Sequence, residues 1–192
     1  MGPARALAQR PLTVSVAAAA AGFRPILRTQ GLLGDPALRE ALDANLPLRF
    51  HFRVELWRKG TFDQLESAQE GGVALVRDPL GDGYVVENGR TERRVRTLSD
   101  AEAAISAAWA PTLRPRGQAR YYYLVTLDVE TLSLSDLEEL RRWLRGEARP
   151  AVEGRAPVGR AVTRGLRRAM VRLLGLPTRH YEERTPFFTP GS

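Results

Sequence analysis

The chain has 192 residues, enough for one domain with a real core, and its 43% hydrophobic and 27% charged composition is that of a globular protein. The net charge of +7 raises a nucleic-acid reading, but Lys59 is the only lysine among 29 basic residues, so an arginine-favouring coding bias accounts for much of it. Cysteine is absent, which excludes disulfides, cysteine-ligated zinc, iron–sulfur clusters and thiol nucleophiles, and no apolar run of about 18 residues could span a bilayer.

At the start, Ala6-Leu7-Ala8 before Gln9 has the small-x-small pattern cut by signal peptidase. Residues 1–8 are therefore expected to be a signal-peptide remnant, and residues 9–192 a single β-rich domain. Leu12 to Ala18 alternate as a strand, and a second strand follows from Phe23 and ends before Gly31. Asp35 then stands as an N-cap with Pro36 at the first helical position, and Leu38, Ala41 and Leu42 share one side of a short helix. In "LRFHFRVELW" Leu48, Phe50, Phe52, Val54 and Leu56 alternate with Arg49, His51, Arg53, Glu55 and Trp57, which predicts a half-buried strand. "GGVALVRDPLGDGYVVENGRTERRVR" reads as three strand pieces, the last two joined by a type I′ turn at Asn88-Gly89.

Ser99 and Glu102 form an expected capping box ahead of a three-turn helix containing Ile105 and Trp109. Tyr121, Tyr123, Val125, Leu127 and Val129 share one face of another half-buried strand. A second capping box, Ser135 with Glu138, opens an amphipathic helix, and residues 146–157 read as a mobile linker. The tail "RHYEERTPFFTP" closes the sheet as a strand anchored by Tyr181 and by Phe187 or Phe188. The half-buried strands need a second layer, so the expected fold is α+β, mainly β. It is an antiparallel β-sandwich or curved sheet with short covering helices and a C-terminal amphipathic helix.

Recognised catalytic motifs are missing. The only lysine precedes Gly60 and so builds no P-loop, and Gly81-Asp82-Gly83 lies between strands without a third glycine, unlike a dinucleotide fingerprint. No Gly-x-Ser-x-Gly elbow occurs. His51 and His180 are far apart, and His51 is expected to face solvent. A hydrolase would have to use carboxylates such as Glu87 and Glu92, although these and Asp82, Glu138, Glu139, Glu182 and Glu183 all have ordinary surface explanations. The face at Tyr121 and Tyr123 is a candidate ligand platform, with core packing the plainer reading. No catalytic residue, cofactor or metal is expected.

Residues 158–175 form the most polarised segment. At about 100° per residue, Val162, Leu166, Ala169, Met170 and Leu173 fall on one side of a helix and Arg160, Arg164, Arg167, Arg168 and Arg172 on the other. One reading docks the apolar face on the protein's own sheet and leaves the arginines in water. Another presents the arginine row to an anionic lipid surface, and the two are compatible. Nucleic acid is the least favoured partner.

Four segments in order, "LREALDANLPLRFHFRVELWR", "VRDPLGDGYVVENG", "RTLSDAEAAISAAW" and "YYYLVTLDVETLSL", together resemble the bacterial family called domain of unknown function 4390. The resemblance covers residues 12–134. It implies a predominantly β, exported envelope protein, periplasmic or peripheral to a membrane, with a sensor histidine kinase as a partner by family analogy. No catalytic residue carries over. The chain departs from the family in the tail "EERTPFFTP", which has no tryptophan, and in an enlarged stretch from Asp136 to Gly175. The expected function is that of a noncatalytic exported envelope protein acting by binding or scaffolding. The alternatives are a carboxylate-dependent envelope hydrolase and a nucleic-acid-binding protein using the arginine-rich helix.

Overall fold

The computed structural model describes residues 10–78, 81–132 and 178–190. The signal-peptide remnant, the helix from Ser135, the linker 146–157 and the basic segment 158–175 lie outside the described residues. Within them the chain runs β1 (Leu12–Val16), β2 (Pro25–Thr29), α1 (Pro36–Asp43), β3 (Leu48–Arg58), β4 (Gln64–Arg77), β5 (Tyr84–Glu87), β6 (Glu92–Val95), α2 (Leu98–Ala108), β7 (Tyr121–Thr131) and β8 (Thr178–Arg184). Six strands form one sheet in the order β6-β5-β4-β3-β7-β8, and β1 pairs with β2 in a separate hairpin. All pairings are antiparallel, and the fold is of the expected α+β kind.

Period two places the core. Leu48, Phe50, Phe52, Val54 and Leu56 of β3 are buried, as are Tyr121, Tyr123, Val125, Leu127 and Val129 of β7. Each fully buried large apolar side chain stabilises the fold by about 1.5–3 kcal/mol before entropy is counted. The other layer is built from the β1–β2 hairpin and both helices, which add Leu12, Leu27, Leu38, Leu42, Ala101 and Ile105 to the same cluster. Asp35 caps α1 as expected, its carboxylate accepting from the amides of Ala37 and Leu38 at 2.9 and 3.3 Å.

Three local expectations are corrected. The cap of α2 is Thr97, not Ser99: its hydroxyl accepts from the Asp100 amide at 3.1 Å and donates to the Asp100 carboxylate at 2.7 Å. Glu102 reaches away from its helix to accept from the amides of Gly31 and Leu33 at 2.9 and 2.6 Å, holding the turn between β2 and α1. The β5–β6 connection is a four-residue loop rather than a two-residue turn. Glu87 pairs with Glu92, Asn88 Oδ1 collects the amides of Arg90 and Thr91, and of the two expected turn residues only Gly89 has positive φ. Finally, β4 begins at Gln64, well before the strand piece read from Gly71. Its first half was not foreseen because its residues are mostly exposed and polar, which removes the alternation that marks a strand.

Candidate functional site

The two tyrosines singled out from the sequence are structural. Tyr121 and Tyr123 are buried, and the ring of Phe188 packs on both, with centroids 6.2 and 5.5 Å away. The Tyr121 hydroxyl donates to the Arg116 carbonyl at 2.5 Å, and that of Tyr123 lies 3.0 Å from the carbonyls of Phe23 and Leu113. Burial raises the Tyr123 phenol's pKa, so it stays a donor. These rings staple loops to the sheet and leave no open platform. Arg160, Arg164, Arg167, Arg168 and Arg172 lie outside the described residues. Glu87 and Glu92 are cross-strand partners on one surface of a hairpin, with Arg94 3.4 Å from Glu92, so they do not face each other across a cleft.

The outward face of the sheet brings together residues that the sequence separates. Antiparallel register sets His51 of β3 opposite Asp128 of β7, and Asp128 opposite His180 of β8, so both histidines lie in one row across three strands. His180 Nδ1 is 2.7 Å from the Asp128 carboxylate, and His51 Nε2 is 3.5 Å from that of Glu70. The expectation of a solvent-facing His51 is corrected: its side chain is only 18% exposed. Burial, and then the charge of Arg49, lower its pKa from 6.5, against the opposite pull of Glu70, Asp128 and Glu130. A carboxylate that fixes one imidazole nitrogen is one component of a general base. Among the described residues, however, no group of three or more His, Asp or Glu could hold a metal ion.

A different cluster occupies the end of the sheet where β3 turns into β4. The register of β3 against β4 shifts between Leu56 and Trp57, and the chain reverses through Lys59–Asp63. Trp57 stacks on Tyr122 of β7 at 6.4 Å, and Phe187 meets Tyr122 edge-on at 5.5 Å. Three cations converge on the Phe187 ring, Arg120 at 4.4 Å, Arg184 at 5.3 Å and Lys59 at 5.8 Å, while Arg184 also lies 5.2 Å from the Tyr122 ring. Asp63 organises the turn. It bonds Lys59 at 3.0 Å and accepts from the Tyr122 hydroxyl at 3.1 Å, and the Lys59 bond leads in holding its pKa down. Arg58 pairs with Glu66 at 2.7 Å beside it.

Beyond this cluster stand two apolar side chains with little cover, Phe62 at 85% and Leu65 at 47% exposure. Sequence reasoning missed the site because its parts come from residues 57–65, 120–122 and 184–187, and only strand pairing joins them. The one local signal was the aromatic Phe62 inside the polar run "RKGTFDQLE".

Among the described residues no helix is long and apolar enough to cross a membrane. Comparison with protein-family models, with curated proteins and with solved structures finds no match to this chain.

Proposed function

We propose that the chain is a noncatalytic, exported protein of the bacterial envelope that acts by binding, with Gln9 as its mature N-terminus. The observation that carries the binding part is the stretch Lys59–Leu65, where exposed Phe62 and Leu65 share one end of the sheet with arginines, a lysine and aromatic rings. Aromatic residues and arginine are the side chains that concentrate interaction energy at contact surfaces. The export part is supported by Ala6-Leu7-Ala8 and by the resemblance to domain of unknown function 4390, to which we assign the chain as part of the same proposal. On that reading the partners are an anionic membrane surface and an envelope protein, with a sensor kinase as the protein candidate by family analogy. The basic segment with Arg160, Arg164, Arg167, Arg168 and Arg172 supplies further positive charge toward the membrane.

Expression from the full upstream reading frame, followed by fractionation and N-terminal sequencing, tests this. The expected product is periplasmic or peripheral to a membrane and begins at Gln9. Recovery from the cytosol with Met1 intact defeats the reading.

A further inference from the structure

We infer that the β3–β4 hairpin tip is a lipid-insertion site: Phe62 and Leu65 enter an anionic bilayer surface while Lys59, Arg120 and Arg184 meet its headgroups. This deepens the proposed function by naming the surface bound and the residues that bind it. It does not depend on the basic segment 158–175.

The arrangement suits a fluid interface. Phe62 lies in the reversal and Leu65 at the start of the returning strand, and among the described residues they are the two most exposed large apolar side chains. The cations gather around Phe187 at 4.4–5.8 Å at the same end of the sheet. Interfacial segments bury their apolar groups about 5–10 Å into the boundary between headgroups and acyl chains and leave basic groups at the phosphate level. Trp57 and Tyr122, stacked at the same end of the sheet, are of the two residue types enriched at membrane–water interfaces. An exposed turn with one large ring also needs no matching groove, because lipid conforms to it. The turn is prepared for this. The Asp63 bonds to Lys59 and to the Tyr122 hydroxyl fix its base, as does the 2.7 Å bond from the Lys59 amide to the Arg120 carbonyl.

The test uses full-length protein and two kinds of sedimentable vesicle, pure phosphatidylcholine and phosphatidylcholine containing phosphatidylglycerol. Wild type is expected to sediment with the anionic vesicles at low salt and to be released as salt rises. Phe62→Ser with Leu65→Ser should weaken partitioning about tenfold or more. Arg120→Gln and Arg184→Gln should each weaken it about fivefold at low salt. Melting curves check that all variants remain folded, and the exposed positions of Phe62 and Leu65 make that the expected result. In a Phe62→Trp variant, difference fluorescence against wild type should shift to the blue and be quenched by lipids brominated on their acyl chains.

Absence of wild-type binding to anionic vesicles overturns the insertion. So does binding that survives Phe62→Ser with Leu65→Ser but is lost when Arg160, Arg164, Arg168 and Arg172 become glutamine, an outcome that leaves the envelope reading standing. Tip-dependent binding to duplex DNA without vesicle binding also overturns it, in favour of nucleic acid. A cytosolic location with Met1 intact removes the envelope reading itself, so the two failures are distinguishable.

Discussion

Arg179 grips Asp35 across 144 residues of sequence, its Nε at 2.7 Å and its second terminal nitrogen at 3.0 Å from the two carboxylate oxygens. The same carboxylate caps α1, so one side chain joins the first helix to the last strand of the sheet. Asp35→Ala removes both roles and is expected to cost about 1–2 kcal/mol, most of it from the cap, since the partly exposed ion pair adds under about 1 kcal/mol. Asp35→Asn keeps a capping oxygen and should cost about half as much. Urea denaturation of the two variants checks the order, and equal losses would put the energy in the ion pair. The Arg179 bond, foremost, lowers the Asp35 pKa below its ordinary 3.8. The resulting stabilisation is therefore present above that value and is lost as pH falls through the depressed one.

Gly71 is a packing requirement. A Cβ built there would fall inside the indole of Trp109, which stacks on Phe52 with ring centroids 5.6 Å apart. Gly71→Ala is expected to destabilise the protein by about 1–3 kcal/mol through overpacking. In a Trp109→Ala background the same change should cost less than half as much, because the obstructing ring is gone. A double-mutant cycle in urea reads this directly, and additive losses would show that the glycine serves its backbone instead.

Glu102 separates what sequence pattern offers from what the fold uses. Read along the chain, Ser99 and Glu102 look like a helix cap, yet Glu102 bonds the amides of Gly31 and Leu33 while Thr97 caps the helix. Ser99→Ala is therefore expected to be neutral within about 0.5 kcal/mol. Thr97→Ala should cost about 1 kcal/mol, and Glu102→Ala about 2 kcal/mol, because two amides lose a charged acceptor. Thermal melts of the three variants rank them, and a Ser99→Ala loss matching that of Thr97→Ala would restore the capping box.

These cases show which information is local. β3 and β7 were legible because each is buried on one face, and burial on one face writes period two into the residues Leu48–Leu56 and Tyr121–Val129. Asp35 was legible as a cap because a cap acts within three residues; its bond to Arg179 was not, since nothing near either residue encodes the other. Gln64–Glu70 carry no apolar alternation to read. The cluster around Phe187 and the row His51, Asp128, His180 depend on the registers of β3, β7 and β8, which set neighbours that spacing along the chain cannot reveal.

That row makes a prediction about pH. His51 is faced by Arg49, Glu70, Asp128 and Glu130, and the net result of burial and these charges is a folded-state pKa below the unfolded value of 6.5. Between the two values the unfolded chain binds more protons at this position than the folded one does, so stability rises with pH. Its contribution is complete above 6.5 and is lost as pH falls from there to the depressed value. His51→Gln removes the titration while keeping a polar side chain. Urea midpoints of wild type and variant should therefore converge as pH drops from about 7 toward 5, with the wild type losing more of its stability than the variant. A wild-type curve parallel to that of the variant over this range would show that protonation of His51 is tolerated equally in both states, and that Glu70, Asp128 and Glu130 offset the burial and the charge of Arg49.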